Sequence, residues 1–175
     1  AARIAASEEA RQDRLTQAEV ESRLPPVELP PDVPEDYLAL MQRLRDTVAD
    51  RPDDLRGLML LARNEASLGN LPAAHKAQAR VIELKGDAAT ADDYAQLVDM
   101  MVSAAAGYVS VEAEQAVRTA LRRNPEEPRA RYYLGLYMMQ IDRPDAAFRL
   151  WDGLLRDSAA DAPWVPIIRQ ELAGI

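Results

Sequence analysis

The sequence predicts an all-α protein made of short helices in pairs. Apolar residues recur three and four apart, as in Leu40, Leu44 and Val48, in Leu58, Leu61, Ala62 and Leu68, and in Val117, Ala120 and Leu121. Strand-like alternation is absent. Proline, glycine and asparagine clusters divide the periodic stretches into helices of roughly three to four turns.

The first segment, residues 1–22, is rich in Ala, Glu and Arg and has few large apolar side chains. It offers little apolar burial against the entropy of ordering, so a marginal helix or disorder is expected. The chain begins without Met and without a signal-peptide pattern, and the expectation is that something precedes it. Residues 23–36 follow, with five prolines. Proline fixes φ, removes a donor and pushes its predecessor out of the helical region, so this is an extended linker. On that basis removal of residues 1–30 should leave thermal stability nearly untouched.

From Tyr37 to the end a single helical domain is expected, spanning 37–175. Its stops are Arg51-Pro52-Asp53-Asp54, Gly69-Asn70-Leu71-Pro72, Gly86-Asp87, Gly107-Tyr108-Val109-Ser110, Asn124-Pro125 and Asp142-Arg143-Pro144-Asp145. The helices also repeat. Ala147 stands thirteen residues after Leu134, Ala74 thirteen after Leu61, and Ala113 thirteen after Met100. The units are therefore 55–88, 94–127 and 128–161, preceded by a half-unit at 37–52, with extra residues around Ala89 to Asp93 breaking the tiling. Residues 163–173 close the array, with Trp164, Ile167, Ile168 and Leu172 on one side.

A period of about 34 residues, with Leu-Gly in the first helix, Ala-x3-aromatic in the second and proline at the close, resembles the tetratricopeptide repeat. The third unit carries the pattern best. The first has Gln78 in the aromatic slot, and the second has Met100-Met101 for Leu-Gly. The resemblance implies that Leu134 fills the gap between paired helices and that Gly135 and Ala147 allow close approach. It implies too that Trp151 packs on the neighbouring unit. It also implies a concave groove lined by the first helices. In its register the groove is formed by Arg56, Met59 and Arg63, by Val98 and Val102, and by Arg129, Tyr132, Leu136, Met139 and Gln140. Tyr133 and Met138 would then turn inward. Arg, Tyr, Met and Leu together are the composition of a peptide-binding patch.

Chemistry narrows the function further. A net charge of −8 leaves no concentrated basic face for nucleic acid. The absence of cysteine removes disulfides, thiolate metal sites and thiol nucleophiles. His75 is the sole histidine and reads as a surface or interface residue. The acidic pairs Asp53-Asp54, Asp92-Asp93 and Glu126-Glu127 lie at helix starts, where carboxylates cap free N–H groups. Nothing in the sequence assembles an enzyme, a metal site or a cofactor site. No apolar run is long enough to span a membrane.

A closer resemblance rests on three stretches: YLALMQRLRDTVADRPDDLRGLMLLARNEASLGN, DYAQLVDMMVSAAAGYVSVEAEQAVRTALRRNP and FRLWDGLLRDSAADAPWVPIIRQEL. Together with the Asp161-to-Trp164 closing motif they resemble the C-terminal periplasmic repeat domain of cytochrome c maturation proteins of the CycH/CcmI type. Residues 1–22 look like the juxtamembrane region after that family's membrane anchor. The resemblance implies a periplasmic chaperone. It would hold apocytochrome c by its C-terminal helix and pass it to the haem-ligation components, touching the membrane only through an upstream anchor. A scaffold that organises an envelope assembly is the alternative.

Overall fold

The computed structural model describes residues 2–174. Among them the chain forms α1 (Ala2–Gln12), α2 (Gln17–Ser22), α3 (Glu35–Asp50), α4 (Leu55–Ser67) and α5 (Leu71–Lys85). After a 3-10 turn at Gly86–Ala88 come α6 (Ala91–Ala104), α7 (Val111–Arg123), α8 (Pro128–Gln140), α9 (Pro144–Asp157) and α10 (Trp164–Ala173). No described residue lies in a strand. The antiparallel pairs α4/α5, α6/α7 and α8/α9 stack in order, α3 stands ahead of them and α10 behind. This is the all-α, tetratricopeptide-type solenoid expected from the repeat.

Local chemistry sets the ends. Asp54, Ser110 and Glu127 each accept a hydrogen bond from the backbone three residues on, capping α4, α7 and α8. Thr90 and Asp93 form a reciprocal capping box that starts α6 at Ala91, ahead of the expected start at 94. One carboxylate of each acidic pair therefore caps, Asp54, Asp93 and Glu127, while Asp53, Asp92 and Glu126 pair with arginines. Gly69 ends α4 at φ 76°, with its own N–H donating to the Ala66 carbonyl and that of Asn70 to Glu65. That geometry is open to glycine because it lacks a Cβ.

The repeat register is a packing register. Ala74, Ala113 and Ala147 are all fully buried, so each second helix presents a small residue where its partner comes close. The third pair is the tightest. Trp151 is fully buried, and a Cβ on Gly135 would lie 2.0 Å from its Nε1, so the indole occupies the space a larger residue would need. The Trp151 Nε1–H donates to the Tyr132 carbonyl at 3.0 Å. Trp151 thus packs first on its own pair, not on a neighbouring unit as the repeat resemblance implied. Gly135 is small to admit an aromatic ring. Leu134 is half-buried against the cluster shared by the second and third pairs. At the closing helix, Ile168 is buried with Trp164 and Leu172 packed beside it, as expected, whereas Ile167 is exposed and Val165 is buried in its stead.

Residues 5–22 depart most from expectation. They fold back onto all three pairs instead of standing apart. Thr16 and Glu19 form a capping box that fixes the short α2. Gln17 is buried; its Nε2 donates to the Met101 carbonyl at 2.8 Å and its Oε1 accepts from the Ser110 hydroxyl at 2.7 Å. Its backbone N–H donates to Glu112 at 2.8 Å. The Val111 N–H donates to the Leu15 carbonyl at 3.1 Å, and the Leu15 N–H to the Tyr108 hydroxyl at 3.1 Å. Val20 is buried, and the Arg14 guanidinium lies over the rings of Tyr108 and Tyr137 at 5.1 and 4.6 Å. The expectation that truncation is harmless is therefore withdrawn, because the contact is made by polar anchors that a count of apolar residues does not register. Gln17→Ala should leave the buried Ser110 hydroxyl without its acceptor, while the Met101 carbonyl keeps the Ala105 N–H, at a cost of about 1–3 kcal/mol limited by the free energy of releasing the arm. Hydrogen exchange checks it: the Val111 and Leu15 amides should lose protection, and unchanged protection there would contradict the anchor.

Candidate functional site

Helices α4 and α6 face each other across a cleft of about 1070 Å³, floored by α5. The α4 wall presents Arg56, Met59, Leu60 and Arg63, at the i, i+3, i+4, i+7 spacing of one helical face. Met59 is 47% and Leu60 42% exposed, unusual for large apolar side chains that border one cavity. The α6 wall presents Asp92, Gln96 and Met100, four apart, and the floor carries Gln78, Val81 and Lys85.

The polar groups at the base are satisfied internally. The Gln78 amide donates to the Asp93 carbonyl at 3.0 Å, and Lys85 Nζ meets the Asp93 carboxylate at 2.6 Å. Burial opposes ionisation of Asp93, but hydrogen bonds from Lys85 and Thr90 hold its carboxyl below the usual value. A lowered folded-state pKa contributes stability that is present above the unfolded value and is lost as pH falls through the folded one. The cleft floor therefore keeps this contribution at neutral pH. Arg56 and Arg63, by contrast, have no ion-pair partner among the described residues.

Of the groove positions expected from the repeat register, only Arg56, Met59 and Arg63 come together in this cleft. Val98 is fully buried and Val102 nearly so, in one stripe with Ala91, Ala95 and Ala105. They are core residues, a correction to the expected groove. Arg129 reaches back to α6, pairing with Asp92, with Asp99 at 2.9 Å and with Glu127 at 3.3 Å. Burial works against its charge, and the three carboxylates still hold its pKa above the ordinary value. It is a brace between helix pairs. Tyr132 stacks on Trp151 with ring centroids 6.1 Å apart, and it packs with Met139 and Leu172 in the cluster that seats α10. Leu136 and Met138 touch both this cluster and the central one. Gln140 closes the α6–α7 turn by accepting from the Val109 N–H at 2.9 Å and donating to the Gly107 carbonyl at 2.8 Å. Tyr133 turns inward, where burial and Asp99 push its hydroxyl pKa up.

The register missed Leu60, Gln96 and Met100. The signal was present in α6, whose apolar period of 91, 95, 98, 102 and 105 marks those positions as its buried stripe and leaves 92, 96 and 100 to another face. His75 is buried on α5, with Nε2 2.6 Å from Glu21 of α2, which makes it an interface residue of the folded-back arm. Among the described residues no group of three or more His, Asp or Glu is gathered as for a metal. No described helix is long and apolar enough to cross a membrane.

No family model matches the chain. It is similar to the cytochrome c-type biogenesis protein CycH of Bradyrhizobium diazoefficiens, with 31% identity over 136 residues that cover 78% of this chain and 36% of the relative. It is likewise similar to the CycH protein of Rhizobium meliloti, with 32% identity over 145 residues, 82% of this chain and 37% of the relative. The chain thus spans little more than a third of the length of these relatives.

Proposed function

The chain belongs to the CycH/CcmI-type family of cytochrome c maturation proteins, and from that premise we propose that it is a non-enzymatic holding module of cytochrome c biogenesis. It holds apocytochrome c, mainly by the C-terminal helix, and delivers it to the haem-ligation components on the periplasmic side of the membrane. The observation that carries this reading is the open α4–α6 cleft, where Met59, Leu60 and Met100 offer apolar contact between polar rims. An amphipathic helix laid in such a groove is read by side chains three and four apart, the spacing α4 itself presents.

Calorimetry with an apocytochrome c C-terminal peptide tests it. The wild-type chain should bind, and Met59→Ala should cost about 1–2 kcal/mol in affinity as truncation of a central apolar anchor, with folding intact because Met59 is exposed. Absence of binding by the wild-type chain would remove the reading. The scaffold alternative has its own observation, since Phe148 on α9 stands 49% exposed outside the cleft. Peptide binding that survives Met59→Ala but is lost in Phe148→Ala would transfer the function to that surface.

A further inference from the structure

We infer that the cleft selects a helix carrying two carboxylates two turns apart along one edge of its apolar face. The inference rests on the reading of the cleft as a helix-holding site and adds which helix it accepts. Its starting point is an imbalance of charge. The chain is strongly acidic, and arginines such as Arg45, Arg80, Arg118, Arg131 and Arg143 each face a carboxylate. Arg56 and Arg63 do not, and unlike Arg43, Arg51 or Arg122, which also lack an ion-pair partner among the described residues, both border the α4–α6 cleft beside the exposed Met59 and Leu60.

Their spacing defines the ligand. Seven residues along α4 correspond to about 10.5 Å, two turns of helix, with Met59 and Leu60 between them. A guanidinium is a planar fork that meets a carboxylate in two parallel hydrogen bonds, so two of them at this separation match acidic residues two turns apart on a helix lying along α4. The remaining polar groups of the cleft fix how that helix is rotated. Lys85 is engaged by Asp93, and the Gln96 amide donates to Asp92, which is itself paired with Arg129. The α6 wall therefore offers no free cation, and carboxylates turned toward it would meet Asp92. The acidic edge of the ligand faces α4, and its apolar stripe lies over Met59, Leu60 and Met100.

The test uses the full chain and two synthetic amphipathic helical peptides of about 18 residues with the same apolar stripe. One carries Glu two turns apart beside the stripe, the other Lys at the same places; the apocytochrome c C-terminal peptide is measured alongside. The Glu peptide should bind about tenfold more tightly at low salt, the sum of two partly screened charge pairs, and the preference should weaken with salt. It should vanish in the double variant Arg56→Ala/Arg63→Ala and reverse in Arg56→Glu/Arg63→Glu. Both sites are exposed, so circular dichroism should be unchanged. Equal binding of the two peptides, or a preference that survives the double alanine variant, overturns the inference. Apocytochrome c peptide binding that is indifferent to both arginines overturns it too, while leaving the holding function in place. If the Glu peptide binds through the arginines and the apocytochrome c peptide does not bind, the holding function falls and the selectivity stands.

Discussion

Replacing Gly135 with alanine is expected to cost about 3 kcal/mol or more, the upper end of what overpacking a core does. The added Cβ would lie 2.0 Å from Nε1 and 2.4 Å from Cε2 of Trp151. The indole has nowhere to go. It is fully buried, stacked against Tyr132, tied by Nε1 to the Tyr132 carbonyl and packed with Leu154 and Ile168. Relief requires the ring to leave its site or α8 and α9 to separate, and separation would also loosen α10, whose Ile168 sits in the same cluster. Thermal or urea unfolding checks it, with a midpoint well below wild type expected. Gly135→Ala paired with Trp151→Leu should recover part of the loss, because the smaller side chain vacates the space; failure of that rescue would show that the glycine serves something other than the ring. An unchanged midpoint in Gly135→Ala would contradict the packing outright.

The same residues show how much of the fold could be read from sequence. Leu134-Gly135 and Ala147 with Trp151, thirteen and sixteen residues apart, carry the repeat because backbone approach and ring packing demand particular sizes at fixed helical positions. Size demands of that kind are written into residue identity, so the all-α paired architecture was legible. The arm was not. Residues 5–22 are held by Gln17, Glu21 and Arg14, and whether a polar side chain is solvated or anchored depends on partners more than 50 residues away, such as His75 for Glu21. One local sign did exist, Thr16-x-x-Glu19, a capping box that fixes a helix start but says nothing of what the helix touches.

The cleft was legible only in part, for a related reason. Transferring one groove register to all three units assumes that every first helix exposes the same face. In α6 that face is rotated, so that Val98 and Val102 join the core. In α8 the stacking of α9 and α10 takes Tyr132 and Met139, and Arg129 is drawn into a carboxylate network on α6. What is left open is the α4 wall. Only α3 precedes it, and Met59 and Leu60 remain exposed on the side that faces α6.

That wall depends on a buried ion pair, and breaking it should be the second large effect. Glu65 of α4 is 1% exposed and accepts two hydrogen bonds from Arg45 of α3, from Nε at 2.5 Å and from Nη2 at 3.0 Å, with a third from Asn70 at 2.9 Å. The hydrogen bonds to Glu65 raise the Arg45 pKa, so the guanidinium keeps its charge. Arg45→Ala leaves a buried carboxylate with one neutral donor, which for a fully enclosed pair costs about 3–5 kcal/mol. Here the Arg45 side chain is 31% exposed and water can enter the vacated space, so about 2–3 kcal/mol is expected. Arg45→Met with Glu65→Leu should be nearly neutral, because both charges leave together and apolar volume replaces them. The double-mutant cycle in urea separates these terms: a large single-variant loss that the double variant largely restores is the expected pattern. Additive losses would mean that the two side chains act independently. The pair and the Tyr37 hydroxyl, which donates to Asn64 at 2.9 Å, are what tie α3 to α4 beyond the buried Met41 and Val48. Peptide affinity in Arg45→Ala should therefore fall less than stability does, since α4 still packs along the whole of α5 and keeps Arg56, Met59 and Arg63 in register. An affinity loss larger than the stability loss would instead place α3 in direct contact with the bound helix.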